Sequence, residues 1–320
     1  MSHGAQRVTA GLVRDWLAAG ELDLPLPGQG HTGQRWAQLT ALGEIDVTAA
    51  RLAEAHTDAV AILAELGGEA PSSGQLWGVW AAESSEAALT ATVDDTLVLL
   101  DGTKPWCSGA ELCSHALVTA RLPSGERGLY AVDLSSPGVQ ALPGSWSNAG
   151  MAESDTRSVQ FNRTPATAVG APGAYLSRPG FWHGAIGVAA CWLGGARAVA
   201  AALYERVRAG RADAHTAAHL GAVDAALSAA AAMLTVAAAE VDADPADHAG
   251  RAELVARRVR TVVETAVDET LTRTGRALGP TPLCADPVHT RRVADLSIYV
   301  RQSHAERDLE RLGMLAAEAA

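Results

Sequence analysis

The segment Gly102–Gly109 carries an indole and a hydroxyl two residues apart, at Trp106 and Ser108. It lies between two runs with the composition of β-strands, 97–100 and 116–121. An aromatic ring can pack on a planar ligand while a hydroxyl bonds the ligand's edge. Two plainer alternatives stay open, with Trp106 as a core aromatic of a β-domain and Ser108 as a turn residue. The segment is the first candidate site of the sequence.

Few residues of the sequence are candidates for proton transfer or for metal binding. Histidine side chains in general titrate near neutral pH, so His304 could act as a base, whereas the neighbouring Ser303 needs a second group to take its proton. A helix-surface contact with neighbours such as Asp308 is the plainer expectation for His304. His215 and His219 have the spacing of two metal ligands on one helix face, but no third ligand accompanies them. We therefore expect no metal site.

Three kinds of segment must position these candidates. Residues 1–74 have helical periodicity, 75–170 contain short Val-, Leu- and Thr-rich runs between turn residues, and 171–320 are alanine-rich and helical. The last region predicts four helices, at 179–209, 213–243, 248–278 and 289–318. Gly194 and Gly195 in the first of them indicate close helix packing, with nearness to a cofactor as the alternative. We predict a multi-domain α+β protein with a short N-terminal helical domain, a central antiparallel β-barrel or sandwich, and a C-terminal four-helix bundle.

The order of these regions, together with three short motifs, resembles the acyl-CoA dehydrogenase family. Residues 102–109 are similar to the flavin-facing segment of that family, and residues 150–157 to the end of its β-domain. The run Asp295-Leu296-Ser297-Ile298-Tyr299 is similar to a helix start in the closing part of the family. This resemblance covers the chain from about residue 32 onwards and implies FAD as the cofactor.

The resemblance also implies which residues bind that cofactor. Trp106 would pack on the isoalloxazine ring, and the Ser108 hydroxyl would hydrogen-bond the flavin. Ser84 stands near the place of a flavin-contacting threonine in a Thr-Glu-Pro motif, which is Ala-Glu-Ser here. Gly279 is retained from a glycine-rich loop, although prolines follow it. These four residues are the predicted cofactor-binding residues.

The sequence departs from the family at the catalytic base. Many members have a glutamate eight residues after the position of Asp295, and that position is Ser303 here. An alternative position for the base falls near His183, where there is no carboxylate. The resemblance therefore implies a FAD-dependent oxidoreductase that acts on an acyl thioester or a similar small organic substrate, with its catalytic residues unidentified. A flavin-dependent monooxygenase of the same fold and a non-catalytic binding or assembly module remain as alternatives.

The amino-acid composition limits the binding partners and the cellular location that we expect for this protein. With 25 basic and 36 acidic residues the net charge is −11, which opposes binding to nucleic acid or anionic lipid. The longest uncharged apolar run, 225–239, is shorter than the roughly 20 residues of a membrane span. The first residues lack the pattern of a signal peptide, so we expect a cytoplasmic protein. Because the family assembles through its bundle, we also expect a homodimer or homotetramer.

Overall fold

The structure is a computed structural model that describes residues 2–83, 88–94, 97–144 and 149–319. The chain forms two compact units that both draw on the N-terminal region. The first unit comprises Met1–Asp23, Leu52–Ser147 and Ala152–Phe181, and the second comprises Leu24–Arg51, Asn148–Met151 and Trp182–Ala320. The three-part division at residues 74 and 170 stays a prediction.

The long helices fall where periodicity predicts them, except that one of them is broken; the short helices α4 and α8 were not predicted. The N-terminal helices are α1 (Ser2–Ala18), α2 (Thr32–Ile45) and α3 (Val47–Leu66). The later helices are α4 (Ala174–Ser177), α5 (Gly180–Arg208), α6 (Ala214–Ala243), α7 (Ala252–Leu278), α8 (Thr281–Ala285), α9 (Pro287–Tyr299) and α10 (Glu306–Glu318).

The strands occupy the region that the sequence assigns to a β-domain. They are β1 (Trp77–Trp80), β2 (Leu89–Asp94), β3 (Leu97–Cys107), β4 (His115–Arg121), β5 (Arg127–Asp133), β6 (Val139–Ala141) and β7 (Arg157–Ala168). The short strand β6 was not predicted. Strand β3 is longer than expected, since it continues through Trp106, and β7 continues well beyond Phe161.

Five of these strands close into a barrel within the first unit. The order is β4–β2–β3–β7–β5, and β5 pairs again with β4. Most neighbours are antiparallel, but β1 and β2 both pair with β4 in parallel. The predicted α+β class and the β-barrel are confirmed, whereas a wholly antiparallel barrel is wrong. Parallel neighbours require a longer connection than a hairpin, and here other strands or loops separate both pairs along the chain.

Strand β4 shows why the barrel needs a helix on its outer surface. Ala116 and Val118 point into the barrel core, while Leu117 between them points outwards. Leu117 is fully buried there against Ile62 and Leu63 of α3. Because successive residues of a strand face opposite sides, a strand buried on both faces is apolar at every position.

In the second unit, α2 and α5 approach so closely that glycine is required. A Cβ atom on Gly194 would lie 2.1 Å from the Thr40 carbonyl oxygen, and one on Gly43 would lie 2.6 Å from that of Cys191. Any other residue would force the two backbones apart. The prediction of close helix packing at Gly194 is confirmed.

The predicted helix 289–318 is broken. Helix α9 ends at Tyr299, a 3₁₀ turn covers Val300–Gln302, and α10 begins at Glu306. Ser303 is extended, and Ala305 has a φ of +48°, which a non-glycine residue adopts only under constraint. The predicted fourth helix is therefore two helices, so the single helix is wrong, and the four-helix bundle stays a prediction.

Helices α5 and α6 are long and apolar enough to cross a membrane by length and composition, although the apolar runs predicted no such segment. Core helices of folded proteins satisfy the same criteria. The most apolar 18-residue window of α5 is 78% buried, which is typical of a core helix. The corresponding window of α6 is only 33% buried within the chain. The cytoplasmic location stays a prediction.

Candidate functional site

A β-bulge in β3 presents the Trp106 indole on the surface of the first unit. Lys104 pairs with Val159 of β7, and Cys107 pairs with Arg157, so three steps along β3 match two steps along β7. Such an insertion bends and twists the strand. Trp106 lies in the bulge with a φ of +59°, and its side chain is 56% exposed. The alternative that Trp106 is a barrel-core aromatic is therefore excluded.

Bonds on both sides of Ser108 fix its backbone. Its carbonyl accepts a hydrogen bond of 3.0 Å from the indole Nε1 of Trp80, a buried residue of β1. The next N–H, that of Gly109, donates to the Ser154 carbonyl at 2.8 Å. The half-buried Ser108 side chain therefore leaves the chain from a defined point, as a ligand-binding hydroxyl must.

The Ser108 hydroxyl belongs to a chain of three hydroxyl groups. Its Oγ lies 2.9 Å from Oγ1 of Thr156, and that atom lies 2.7 Å from Oγ of Ser154. Either oxygen of each pair can be the donor. Ser154 is 1% exposed, so this end of the chain is shielded from water.

Charged side chains hold the turn that carries Thr156. Asp155 has a φ of +48°, and its carboxylate accepts a 2.7 Å hydrogen bond from the Glu111 N–H. Arg157 forms ion pairs of 2.6 Å with both Asp155 and Glu111. This network offsets the unfavourable backbone conformation of Asp155 and fixes the position of the next residue, Thr156.

Lys104 is buried inside the barrel beneath the same segment. It is 3% exposed, and its Nζ donates to the carbonyl and to the hydroxyl of Thr119, both at 2.8 Å. Burial lowers the pKa of Lys104 to about 8, while the negative charge of Glu83 acts in the opposite direction. Glu83 itself is paired with Arg121 and Arg127. An ammonium group enclosed in this way has no access to a substrate outside the barrel.

In the second unit, the break between α9 and α10 exposes the imidazole of His304. Its backbone N–H donates to the Asp308 carboxylate at 3.0 Å, and its Nδ1 lies 3.7 Å from the same carboxylate. Asp308 also accepts a 2.8 Å hydrogen bond from Arg257. Burial would raise the pKa of Asp308, but the bonds from His304 and Arg257 outweigh it and lower that pKa. The predicted contact between His304 and its neighbour Asp308 is present.

Asp295 joins two of the motifs that carry the family resemblance. Its carboxylate accepts a 2.6 Å hydrogen bond from the Met151 N–H, and Arg291 lies 3.3 Å away. Burial raises the pKa of Asp295, although these contacts oppose it. A Cβ atom on Gly150 would lie 2.1 Å from the Ala294 carbonyl oxygen, so the turn at 150–151 packs directly on α9. Asp295 has a structural role here.

The remaining predicted residues are distributed as follows. Ser84 lies outside the residues that the structure describes. Gly279 ends α7 in the second unit with a φ of +66°, and its Cβ position has no neighbour within 4 Å. His219 lies on α6, 3.5 Å from Arg273. Across the described residues, no three His, Cys, Asp or Glu side chains gather as a metal site.

Sequence reasoning missed Thr156, Ser154 and Trp80 as partners of Ser108. Residues 150–157 were recognised as a motif, but the motif lies about 50 residues beyond Ser108 along the chain. Nothing in the spacing showed that its hydroxyl groups meet Ser108. The pairing of β3 with β7 provides this information, because it aligns Cys107 with Arg157.

Solved structures with a similar fold extend over nearly the whole chain. A nitrososynthase from Micromonospora carbonacea var. africana is 19% identical, with a TM-score of 0.78 over 94% of this chain and 88% of its own. TdsC from Paenibacillus sp. A11-2, solved with FMN and indole, is 18% identical, with a TM-score of 0.77 over 98% and 96%. The Tcur3481–Tcur3483 steroid ACAD is 23% identical, with a TM-score of 0.74 over 97% and 89%.

These likenesses decide the architecture. The chain has the acyl-CoA dehydrogenase fold. Identities below 25% place the chain far from each of these proteins in sequence, so the fold alone follows from them. The sequence matches no protein-family model and no curated protein.

Proposed function

We propose that this protein binds a flavin and catalyses a redox reaction on a small organic molecule. The observation that carries the proposal is the presentation of Trp106. The barrel holds a large aromatic side chain outwards, on a bulge and in a left-handed backbone conformation. A large apolar ring is rarely left on a surface at such a cost without a ligand to cover it.

The residues around Trp106 fit an isoalloxazine ring. The indole offers a flat face for packing, and the Ser108 hydroxyl, two residues away, offers a hydrogen bond to the ring edge. The backbone of each residue is held in place, that of Trp106 by the bulge and that of Ser108 by bonds to Trp80 and, through Gly109, to Ser154. A bound flavin would supply a two-electron acceptor, and in its reduced form it could react with oxygen.

The proposed cofactor is FAD, as the family resemblance implies, with FMN as the alternative. TdsC and KijD3, which share the fold, were both solved with FMN. The arginine motif that grips the FAD diphosphate in the family is not visible in this sequence, and Arg208 pairs with Glu205 instead. Binding of FAD in preference to FMN would require other groups to hold the diphosphate.

The test is a flavin titration of the purified protein and of Trp106→Ala. We expect the wild type to bind about one flavin per chain and the variant to bind about 10- to 100-fold more weakly, since aromatic stacking is worth roughly 1–3 kcal/mol. Leu176→Ala is the matched control, because Leu176 is also a large exposed apolar residue of the first unit. A wild-type protein that takes up neither FAD nor FMN would refute the proposal and favour a non-catalytic binding module.

Two reactions are compatible with such a site. Dehydrogenation of an acyl thioester requires a base for the α-proton, and the position that resembles the family's glutamate is Ser303, next to His304. Oxygenation by reduced flavin requires no such base, which favours a monooxygenase as the second candidate. Bleaching of bound flavin by acyl thioesters without oxygen would indicate a dehydrogenase. Oxygen uptake that depends on a flavin reductase would indicate a monooxygenase.

The proposed partner for assembly is a second copy of this chain, bound at α6. One face of α6 carries Ala225, Ala229, Ala232 and Val236, all exposed and uncharged. An apolar face of this length is typical of a surface that another chain covers. We expect a homodimer or homotetramer by light scattering, and a smaller particle for Ala232→Glu. An unchanged mass for that variant would place the contact elsewhere.

A further inference from the structure

Thr156 is the middle member of the hydroxyl chain, and its hydroxyl contacts those of Ser108 and Ser154. It lies between the exposed side of the segment, at Ser108, and the buried side, at Ser154. Both of its neighbours in the chain are hydroxyl groups. This arrangement differs from an ordinary structural hydrogen bond to a backbone carbonyl, because the direction of every bond in it can be reversed.

A hydroxyl group has one proton to donate and two lone pairs to accept with. If Thr156 donates to Ser108, the Ser108 proton is free to point away from the chain. If Ser108 donates to Thr156, Ser108 instead offers only its lone pairs. Reversal of the bond between Ser108 and Thr156 thus converts Ser108 from a donor into an acceptor without moving its oxygen.

We propose that Thr156 is a positioning residue that aims the Ser108 hydroxyl at the flavin and allows it to donate or accept. The inference rests on the proposed function. The edge of an oxidised isoalloxazine ring presents acceptors, and reduction adds an N–H donor to that edge. A serine that can reverse its hydrogen bond is complementary to both states, whereas one fixed by a carbonyl is complementary to only one.

The surrounding structure supports a fixed position for Thr156. The ion pairs of Asp155 with Arg157 hold the turn, and the Gly109 N–H links it to the backbone beside Ser108. These bonds hold the backbones of Ser108 and Thr156 close together, so each hydroxyl needs only an allowed rotamer to reach the other. A change from threonine to valine removes the hydroxyl and retains the branched shape.

The experiment compares Thr156→Val, Thr156→Ser and a control, Thr103→Val, each loaded with flavin. Thr103 lies on the same pair of strands and donates a 2.7 Å hydrogen bond to Gln160, away from Ser108. We expect Thr156→Val to raise the flavin dissociation constant about five- to tenfold, the loss of one positioned hydrogen bond. It should also shift the flavin absorption maximum and reduction potential. Thr156→Ser should restore all three to near wild-type values, and Thr103→Val should leave them unchanged.

Three results would overturn the inference, and one of them also refutes the proposed function. If wild type binds flavin and Thr156→Val matches it in affinity, spectrum and potential, only the role of Thr156 fails. If Thr103→Val weakens binding as much as Thr156→Val, the effect is a general loss of barrel stability. If wild type binds no flavin at all, the proposed function and this inference fail together. Thermal unfolding of each variant establishes that it is folded.

Discussion

The bulge in β3 and the break between α9 and α10 are two departures from regular structure that are maintained by different forces. Each contains a non-glycine residue with positive φ, Trp106 in the bulge and Ala305 in the break. Strand pairing, barrel packing and neutral hydrogen bonds hold the bulge itself, and the ion pairs of Arg157 lie on the neighbouring turn at 155–157. The Asp308 carboxylate holds the break, because it pairs with Arg257 at 2.8 Å and accepts a hydrogen bond from the His304 backbone N–H. Neutral bonds inside a barrel are insensitive to salt, while partly exposed ion pairs are screened by it.

The largest expected effect concerns the buried lysine beneath the bulge. The pKa of Lys104 is lowered from 10.5 to about 8 by burial, so folding at pH 7 pays a cost for a charged group inside the barrel. We expect Lys104→Met to raise the free energy of unfolding at pH 7 by roughly 2 kcal/mol, since methionine fills similar space without charge.

The same pKa gives the wild-type protein a distinct pH dependence. Between about pH 8 and 10.5 the unfolded chain keeps the Lys104 proton that the folded chain has lost, so this residue makes stability rise with pH in that range. Urea unfolding from pH 7 to 10.5 measures the effect. The advantage of Lys104→Met should shrink as the pH rises, and a constant advantage would mean that the cost is not one of charge.

The next effect concerns the ion pairs at the break. Asp308→Asn should lower the free energy of unfolding by about 1 kcal/mol, because Arg257 and His304 lose a charged partner. The difference from wild type should diminish in 1 M NaCl. Thr156→Val provides the contrast, because the stability change that it causes should not depend on salt.

Acid should remove the stabilisation that the Asp308 carboxylate provides. The pKa of Asp308 is lowered, so its stabilising charge is fully present above the ordinary aspartate pKa of about 4 and is lost as the pH falls through the folded value. Wild type and Asp308→Asn should therefore converge in stability below about pH 4. Separate unfolding curves in that range would show that Asp308 acts through shape and not through charge.

A smaller effect tests the backbone at the break. Ala305 has a φ of +48° and a ψ of −117°, a region that glycine occupies without steric cost. We expect Ala305→Gly to raise the free energy of unfolding by about 0.5–1 kcal/mol, after the entropy that glycine adds to the unfolded chain. Ala319→Gly, on the same terminal helix region but with ordinary φ, should show no gain.

The smallest expected change in stability is that of a glycine substitution at Trp106 in the bulge. Trp106→Gly relieves the left-handed conformation but removes the contacts of the indole, so stability should stay within about 0.5 kcal/mol of wild type. Flavin affinity should nevertheless fall as it does for Trp106→Ala. A large loss of stability would show that the indole supports the barrel and is not held for a ligand.

The strands and helices around the bulge and around the break were predictable from the sequence. The bulge and the break themselves were not. A short run rich in Val, Leu and Thr marks β4, and alanine-rich periodic stretches mark α5 to α7. The run Ser303-His304-Ala305 contains no glycine or proline, so nothing in it signals the end of a helix. The break depends on local side-chain bonds, in which Ser303 accepts from the Ala305 N–H and Asp308 accepts from the His304 N–H.

The candidate site was predicted in part for a related reason. A resemblance in one short segment identified Trp106 and Ser108, and the structure shows where they lie. The bulge that turns Trp106 outwards depends on the register between β3 and β7, which strands 50 residues apart determine together. The partners of Ser108 depend on the same register, so no local pattern could reveal them.

The bulge also separates the buried side chains of β3 from the exposed one. Lys104 and Cys107 both point inwards because the extra residue between them restores the pairing on either side. Because Trp106 is the exposed side chain of the bulge, position 106 would, under the proposed function, be a natural point for altering which planar molecule the protein binds.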